Sequence, residues 1–182
     1  MIEPTGIQQT IRGNFQVWSY RQTDVSLRGV DVETRYSINQ NLNFDQQLSL
    51  VKGYEIQAKT PLINMPPVNM INALNYNLKQ IQVRLESDYT WRQNEYPNTN
   101  FEAFIPETQS VELIDVSTPP KAYHLMNLTF SGPLNIVTHC QASWSLNVQN
   151  LFDTSYRNYL NGMRFYADEL GRNILLSITT TF

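Results

Sequence analysis

One cysteine in 182 residues, Cys140, leaves no internal disulfide to staple the fold and cannot by itself make a zinc site. The only histidines are His124 and His139, so the His139-Cys140 pair reads as accidental neighbours, and no metal or cofactor is expected. Charged residues make up just 16% of the chain and the net charge is −3, which offers neither a basic stripe for nucleic acid nor a polybasic lipid anchor. No apolar run approaches the ~18 residues that a membrane helix needs. Any passage through a membrane must therefore be made by strands. The opening Met1-Ile2-Glu3-Pro4-Thr5-Gly6 has no basic segment followed by an apolar one, so no secretory signal is read there. A Ser, His and Asp set at a recognisable spacing is also missing. Glu86 and Asp88 stand beside Arg84 and Arg92 and read as a solvated charge lattice, so no enzyme is expected.

What the chain does have is alternation with period two, the mark of half-buried strands. Val30, Val32, Thr34, Tyr36 and Ile38 share one face, with Asp31, Glu33, Arg35 and Ser37 on the other. Asn39-Gln40-Asn41 suits a tight turn, since Asn tolerates left-handed backbone angles. Leu42, Phe44, Gln46, Leu48 and Leu50 then alternate with Asn43, Asp45, Gln47 and Ser49. Residues 55–69 hold Pro61, Pro66 and Pro67 and read as loop. Leu74, Tyr76 and Leu78 form a third strand, with Asn72 a polar exception on its apolar face. Ile81 to Arg92 is the clearest alternation, and its length matches the ~10 residues of a tilted membrane strand.

A long connection from Gln93 to Lys121 carries four prolines. Met126, Leu128 and Phe130 follow as a strand, Gly132-Pro133 is expected to turn the chain, and Ile136 through Val148 returns. The last segment, Ile174 to Phe182, ends in a strand on an aromatic carboxylate. Residues 1–23, with aromatics on both faces, read as an extracellular loop or short hairpin arm, and 24–182 as the strands proper. Connections thus alternate short and long, as in outer-membrane barrels with short periplasmic turns and long extracellular loops.

Alternation alone does not separate a lipid-facing wall from a soluble sandwich or a lipocalin-like barrel. Aromatic placement does so better: Tyr36, Phe44, Tyr76, Tyr89, Trp91, Phe130 and Phe182 lie toward strand ends with aliphatic residues between them, as in an interfacial girdle, Trp144 being the exception. The opposite face, rich in Asn, Gln, Ser, Thr and charges, suits a wide water-filled or plugged lumen. The fold class expected is all-β, an antiparallel transmembrane β-barrel segment of seven to eight strands within a larger barrel.

Asn150-Leu151-Phe152-Asp153 with Tyr156, then Gly171-Arg172-Asn173, then the alternating end at Phe182, resembles the carboxy-terminal part of TonB-dependent outer-membrane receptors. Gly29-Val30-Asp31 resembles a further strand-opening motif of that family, with Asp where Glu is expected. The resemblance implies a plugged barrel in the outer membrane of a Gram-negative bacterium, importing an iron-siderophore or cobalamin-like ligand. It implies as partners outer-membrane lipid, the remainder of the barrel and plug, the TonB complex acting through an N-terminal part not in this chain, and the barrel-assembly machinery reading Phe182.

Seven strands and an arm are far fewer than the ~22 of plugged transporters, so this chain is expected to be a fragment or the product of a split gene. The alternative is a small independent barrel of structural or adhesive role. Ligand contacts are expected in the long loops, at Tyr96, Phe101, Phe104, Tyr159, Arg164, Phe165 and Tyr166, where rings and guanidinium could grip a flat anionic chelate. Those side chains could equally pack the loops on one another. Asn150, Phe152, Asp153 and Tyr156, with Gly171 and Arg172, are expected to hold the strand-to-loop junction.

Overall fold

The computed structural model describes residues 2–11, 13–105, 108–115, 117–137 and 140–181. Every regular element among them is a strand: β1 (Ile2–Thr10), β2 (Gly13–Tyr20), β3 (Val25–Asn39), β4 (Leu42–Glu55), β5 (Asn69–Leu78), β6 (Ile81–Thr90), β7 (Asn100–Ile105), β8 (Ser110–Asp115), β9 (Tyr123–Val137), β10 (Cys140–Gln149) and β11 (Asn173–Thr181). Seven of them make one antiparallel sheet in the order β11-β10-β9-β6-β5-β4-β3. The others pair off as two hairpins, β1 with β2 and β7 with β8. The hairpins touch, Gln9 Nε2 donating to the Phe104 carbonyl at 2.8 Å.

Residues 40–41 and 79–80 join neighbouring strands at one end of the sheet, where β9 also ends and β10 begins, while the longer connections after β4, β6 and β10 lie at the other. The register keeps the two faces chemically distinct. Tyr36 pairs with Phe44, Phe44 with Leu74, Leu74 with Leu85, Leu85 with Leu128, Leu128 with Val148 and Val148 with Ile174, an apolar row across all seven strands. One residue along, Ser37, Asn43, Asn75, Arg84, Thr129, Asn147 and Leu175 make the corresponding row of the other face. A one-residue slip would exchange the faces, so the pattern itself fixes register.

Little is buried between layers, because this wall has one. Among the described residues Ala73, Ala103, Leu125 and Tyr159 are the buried apolar side chains, whereas Leu74, Leu78, Ile174, Leu176 and Ile178 are 40 to 65% exposed on the apolar face. Such an area of exposed aliphatic surface marks a face made to be covered. The strands of β3 and β4 run past it. Their facing residues Arg28 and Lys52 lie on the same side as Val30 and Leu50 and carry charge, which places them beyond the apolar band.

Two sequence expectations are corrected. Gly132-Pro133 is not a turn: β9 runs through it to Val137 and pairs Pro133 with Ser143 of β10. Proline fits because β6 begins at Ile81 and its ladder with β9 stops at Gln82 and Ser131, so beyond that point β9 is an edge on that side. Glycine fits too, because a Cβ on residue 132 would stand 3.0 Å from the Gln80 carbonyl. The long connection between β6 and β9 is likewise not continuous loop, since it folds back as the β7–β8 hairpin.

Candidate functional site

The polar face carries a connected hydrogen-bond chain. Arg35 Nε of β3 donates to Asp45 of β4 at 2.8 Å, and Asn75 of β5 donates to the other Asp45 oxygen at 2.8 Å. Arg84 of β6 donates to the Asn75 side-chain carbonyl at 3.0 Å and to Glu86 at 2.8 Å. Asn127 of β9 donates to the other Glu86 oxygen at 3.1 Å, and its own carbonyl accepts from the Asn150 backbone N–H at 3.0 Å. Five strands and the loop after β10 are thus tied through side chains. Each side chain lies on the polar face because its neighbours in sequence face the other way. Hollows of about 570 and 220 Å³ open along this network, sharing Arg84 and Thr129. The lining is amide, hydroxyl and paired charge. It offers hydrogen bonds to a hydrophilic occupant.

At the junction above β10, Asn150 is 3% exposed and has φ of 50°, a left-handed angle that Asn tolerates. Its amide donates to the Thr154 carbonyl at 2.9 Å and accepts from the Thr154 N–H at 2.8 Å. Asp153, φ 56°, accepts from the Arg172 N–H at 2.7 Å, bringing the two ends of the loop together. A Cβ on Gly171 would sit 2.5 Å from the Asp153 carboxylate, so a larger residue there would have to displace the side chain that closes the loop. Tyr156 packs on Tyr123 with ring centroids 4.6 Å apart, while Phe152 is 70% exposed.

The loops beyond gather several of the residues named as ligand candidates. Arg164 is 9% exposed, with its guanidinium 4.7 Å from the Tyr159 ring centre and 4.6 Å from that of Phe165. Its Nη1 donates to the Tyr159 carbonyl at 2.6 Å, while Nε has no partner among the described residues. Burial lowers the Arg164 pKa and raises that of Tyr159. Tyr159 meets the backbone of Asn64 and lies close enough to Tyr96 for the two to influence each other, so three long connections converge here. Phe101 and Phe104 are both on β7, Phe101 half-buried and Phe104 43% exposed, and Tyr166 is 71% exposed. Phe182 and His139 lie outside the described residues.

Sequence reasoning missed the clamps that fasten this rim. Arg21 donates to both oxygens of Glu55 at 2.7 and 2.9 Å, Thr23 adds a third bond at 2.8 Å, and the Glu55 pKa falls to about 2 in consequence. Lys52 and Tyr54 both bind Glu95, and Arg157 and Ser155 both bind Asp168. These partners are far apart in sequence, 34 residues for Arg21 and Glu55, and no local spacing announces them.

With the seven-stranded order, the two-faced register and the alternation of connections in hand, one comparison bears on the architecture. The sheet has the fold of a β-barrel wall. The copper transporter OprC superposes with a TM-score of 0.72 over 97% of this chain and 26% of its own, at 17% sequence identity. This chain therefore spans about a quarter of that transporter's length. No family model matches the sequence, and no curated protein matches it.

Proposed function

We propose that this chain is part of the wall and extracellular rim of a TonB-dependent transporter in the outer membrane of a Gram-negative cell. The observation that carries the reading is the open, two-faced wall with its likeness to OprC, apolar outward and hydrogen-bonding inward. In this reading lipid covers the outer face, and further strands of the barrel complete the wall at β3 and β11. A plug fills the lumen, the TonB complex acts on that plug, and the barrel-assembly machinery reads the end at Phe182. The chain does no covalent chemistry; it binds and admits. A small independent barrel is the weaker reading, because the edges of β3 and β11 are not paired with each other.

The ligand is taken by the rim, where Tyr96, Tyr159, Arg164 and Phe165 converge, Phe104 and Tyr166 add exposed rings and Phe101 a half-buried one. Stacked rings with a guanidinium suit an iron chelate or a cobalamin-like ligand. Copper is the second reading, favoured by what the neighbouring structure is named for.

The test is uptake by cells lacking this protein and by the same cells complemented with it. Radiolabelled iron chelates, cobalamin and copper are offered, with and without collapse of the proton-motive force. Energy-dependent uptake of one class, restored only by the complementing gene, is expected. Unchanged uptake of all three overturns the transporter reading.

A further inference from the structure

Between the short turns and the outward charges Arg28 and Lys52, the outward face of β3 to β6 is apolar except for one stripe, with His124 of β9 beside its Ser87 end. Thr34 of β3 faces Gln46 of β4, Gln46 faces Asn72 of β5, and Asn72 faces Ser87 of β6. All four point the same way as the aliphatic rows on either side, with Tyr36, Phe44, Leu74 and Leu85 below and Val32, Leu48, Met70 and Tyr89 above. The stripe lies midway between the short turns and the outward charges Arg28 and Lys52, at the depth of the hydrocarbon core in the membrane reading on which this inference rests. At about 4.8 Å between strands it is roughly 15 Å wide.

Part of this polarity is satisfied within the wall. Gln46 Nε2 donates to Asn72 Oδ1 at 2.9 Å, and Ser87 Oγ shares a hydrogen bond of 2.7 Å with His124 Nε2. The Gln46–Asn72 bond leaves, among the described residues, Gln46 Oε1 as an open acceptor and Asn72 Nδ2 as an open donor. Against lipid tails both would be bare, and a bare amide group is costly in hydrocarbon.

We infer that the stripe is covered by a second copy of this chain, packed wall to wall about a two-fold axis along the membrane normal between β4 and β5. The complementarity is internal to the pair. Such an axis sets Asn72 Nδ2 of one copy against Gln46 Oε1 of the other, and the reciprocal bond forms by symmetry, as a two-fold interface requires. Two convex walls touch along a narrow line, which matches polarity confined to four strands. Inter-subunit amide pairs of this kind are a known glue between membrane segments.

The test is photo-crosslinking in intact outer membranes, with a photoreactive amino acid replacing Leu74, beside the stripe, or Leu176, on the same face of β11. An adduct of twice the protein's mass containing only its own peptides is expected from position 74 and not from 176. Gln46→Leu combined with Asn72→Leu, which leaves the face apolar and the ladder intact, should cut that adduct by about tenfold, the effect of losing some 1.4 kcal/mol of association. Three results overturn the inference: adducts from position 74 with lipid alone or with a different protein, or a self-adduct undiminished in the double variant. Recovery of the protein in the soluble fraction overturns the membrane reading itself and the pairing with it.

Discussion

In the wall, β4 lies between β3 and β5 in long backbone ladders, 14 residue pairs on one side with a bulge near Ser37, and 8 on the other. In the rim, each long connection is fastened by a few side chains: Glu55 holding Arg21 and Thr23, Glu95 holding Lys52 and Tyr54, and Arg164 wedged between Tyr159 and Phe165. The wall spreads its stability over many equivalent bonds and asks only that every second residue suit its face. The rim concentrates stability in single residues, and each of its clamps can fail alone. Substitutions should therefore act by face in the wall and by clamp in the rim.

The largest effect is expected from a charge on the outward face. Leu85→Arg should cost about 2–4 kcal/mol of folding free energy in lipid bilayers, read as a shift in urea unfolding. The same charge on the polar face, as Ser145→Arg, should change it by no more than about 0.5 kcal/mol. Equal costs at the two positions would erase the distinction between faces.

In the rim, Arg164→Ala should loosen residues 150–172 by about 2 kcal/mol, the worth of a desolvated cation over aromatic rings, and leave the β6–β9 ladder untouched. Hydrogen exchange would show faster exchange in the loop and no change in the wall. Asn150→Ala removes two hydrogen bonds to Thr154 and should open the same loop by about 1–2 kcal/mol.

The smallest effect is conditional on pH. Glu55 has its pKa lowered from 4.5 to about 2, first by its bonds to Arg21 and then by Thr23, so its clamp is at full strength above pH 4.5 and is lost as pH falls toward 2. It lies three residues beyond the outward charge Lys52, outside the membrane band. Proteolysis in the segment joining β2 to β3 should be flat from neutral pH to about 5, rise below that, and lose this dependence in Glu55→Gln.

The wall was legible in the sequence because its rule is local. Period-two alternation located all seven strands of the main sheet, and Asn39 to Asn41 marked a turn with residues that tolerate it. Gly132-Pro133 misled because proline forbids a ladder only where a neighbour needs its N–H, and β6 stops short of that point. The β7–β8 hairpin was hidden by its length, six residues to a strand, and by the prolines around it. At the candidate site, Asn150 bonds the backbone of Thr154, four residues on, the kind of local contact that a sequence can suggest, whereas the bond of Asp153 to Arg172 spans 19 residues and depends on the loop closing. The convergence of Tyr96, Tyr159 and Arg164 was readable only as residue types, because its geometry depends on three connections meeting. Glu55 with Arg21 was not readable, since the pair is brought together by the fold alone.

The most direct test of the account is a cysteine scan of Ile81 to Thr90 in a Cys140→Ser background, each site spin-labelled in lipid vesicles and probed with oxygen, which enters lipid, and a nickel chelate, which stays in water. The account predicts strict alternation along β6, with oxygen access at residues 83, 85 and 89 and nickel access at 82, 84, 86 and 88. Nickel access at both sets, or no alternation at all, would contradict a wall with one face to lipid and one to an aqueous lumen.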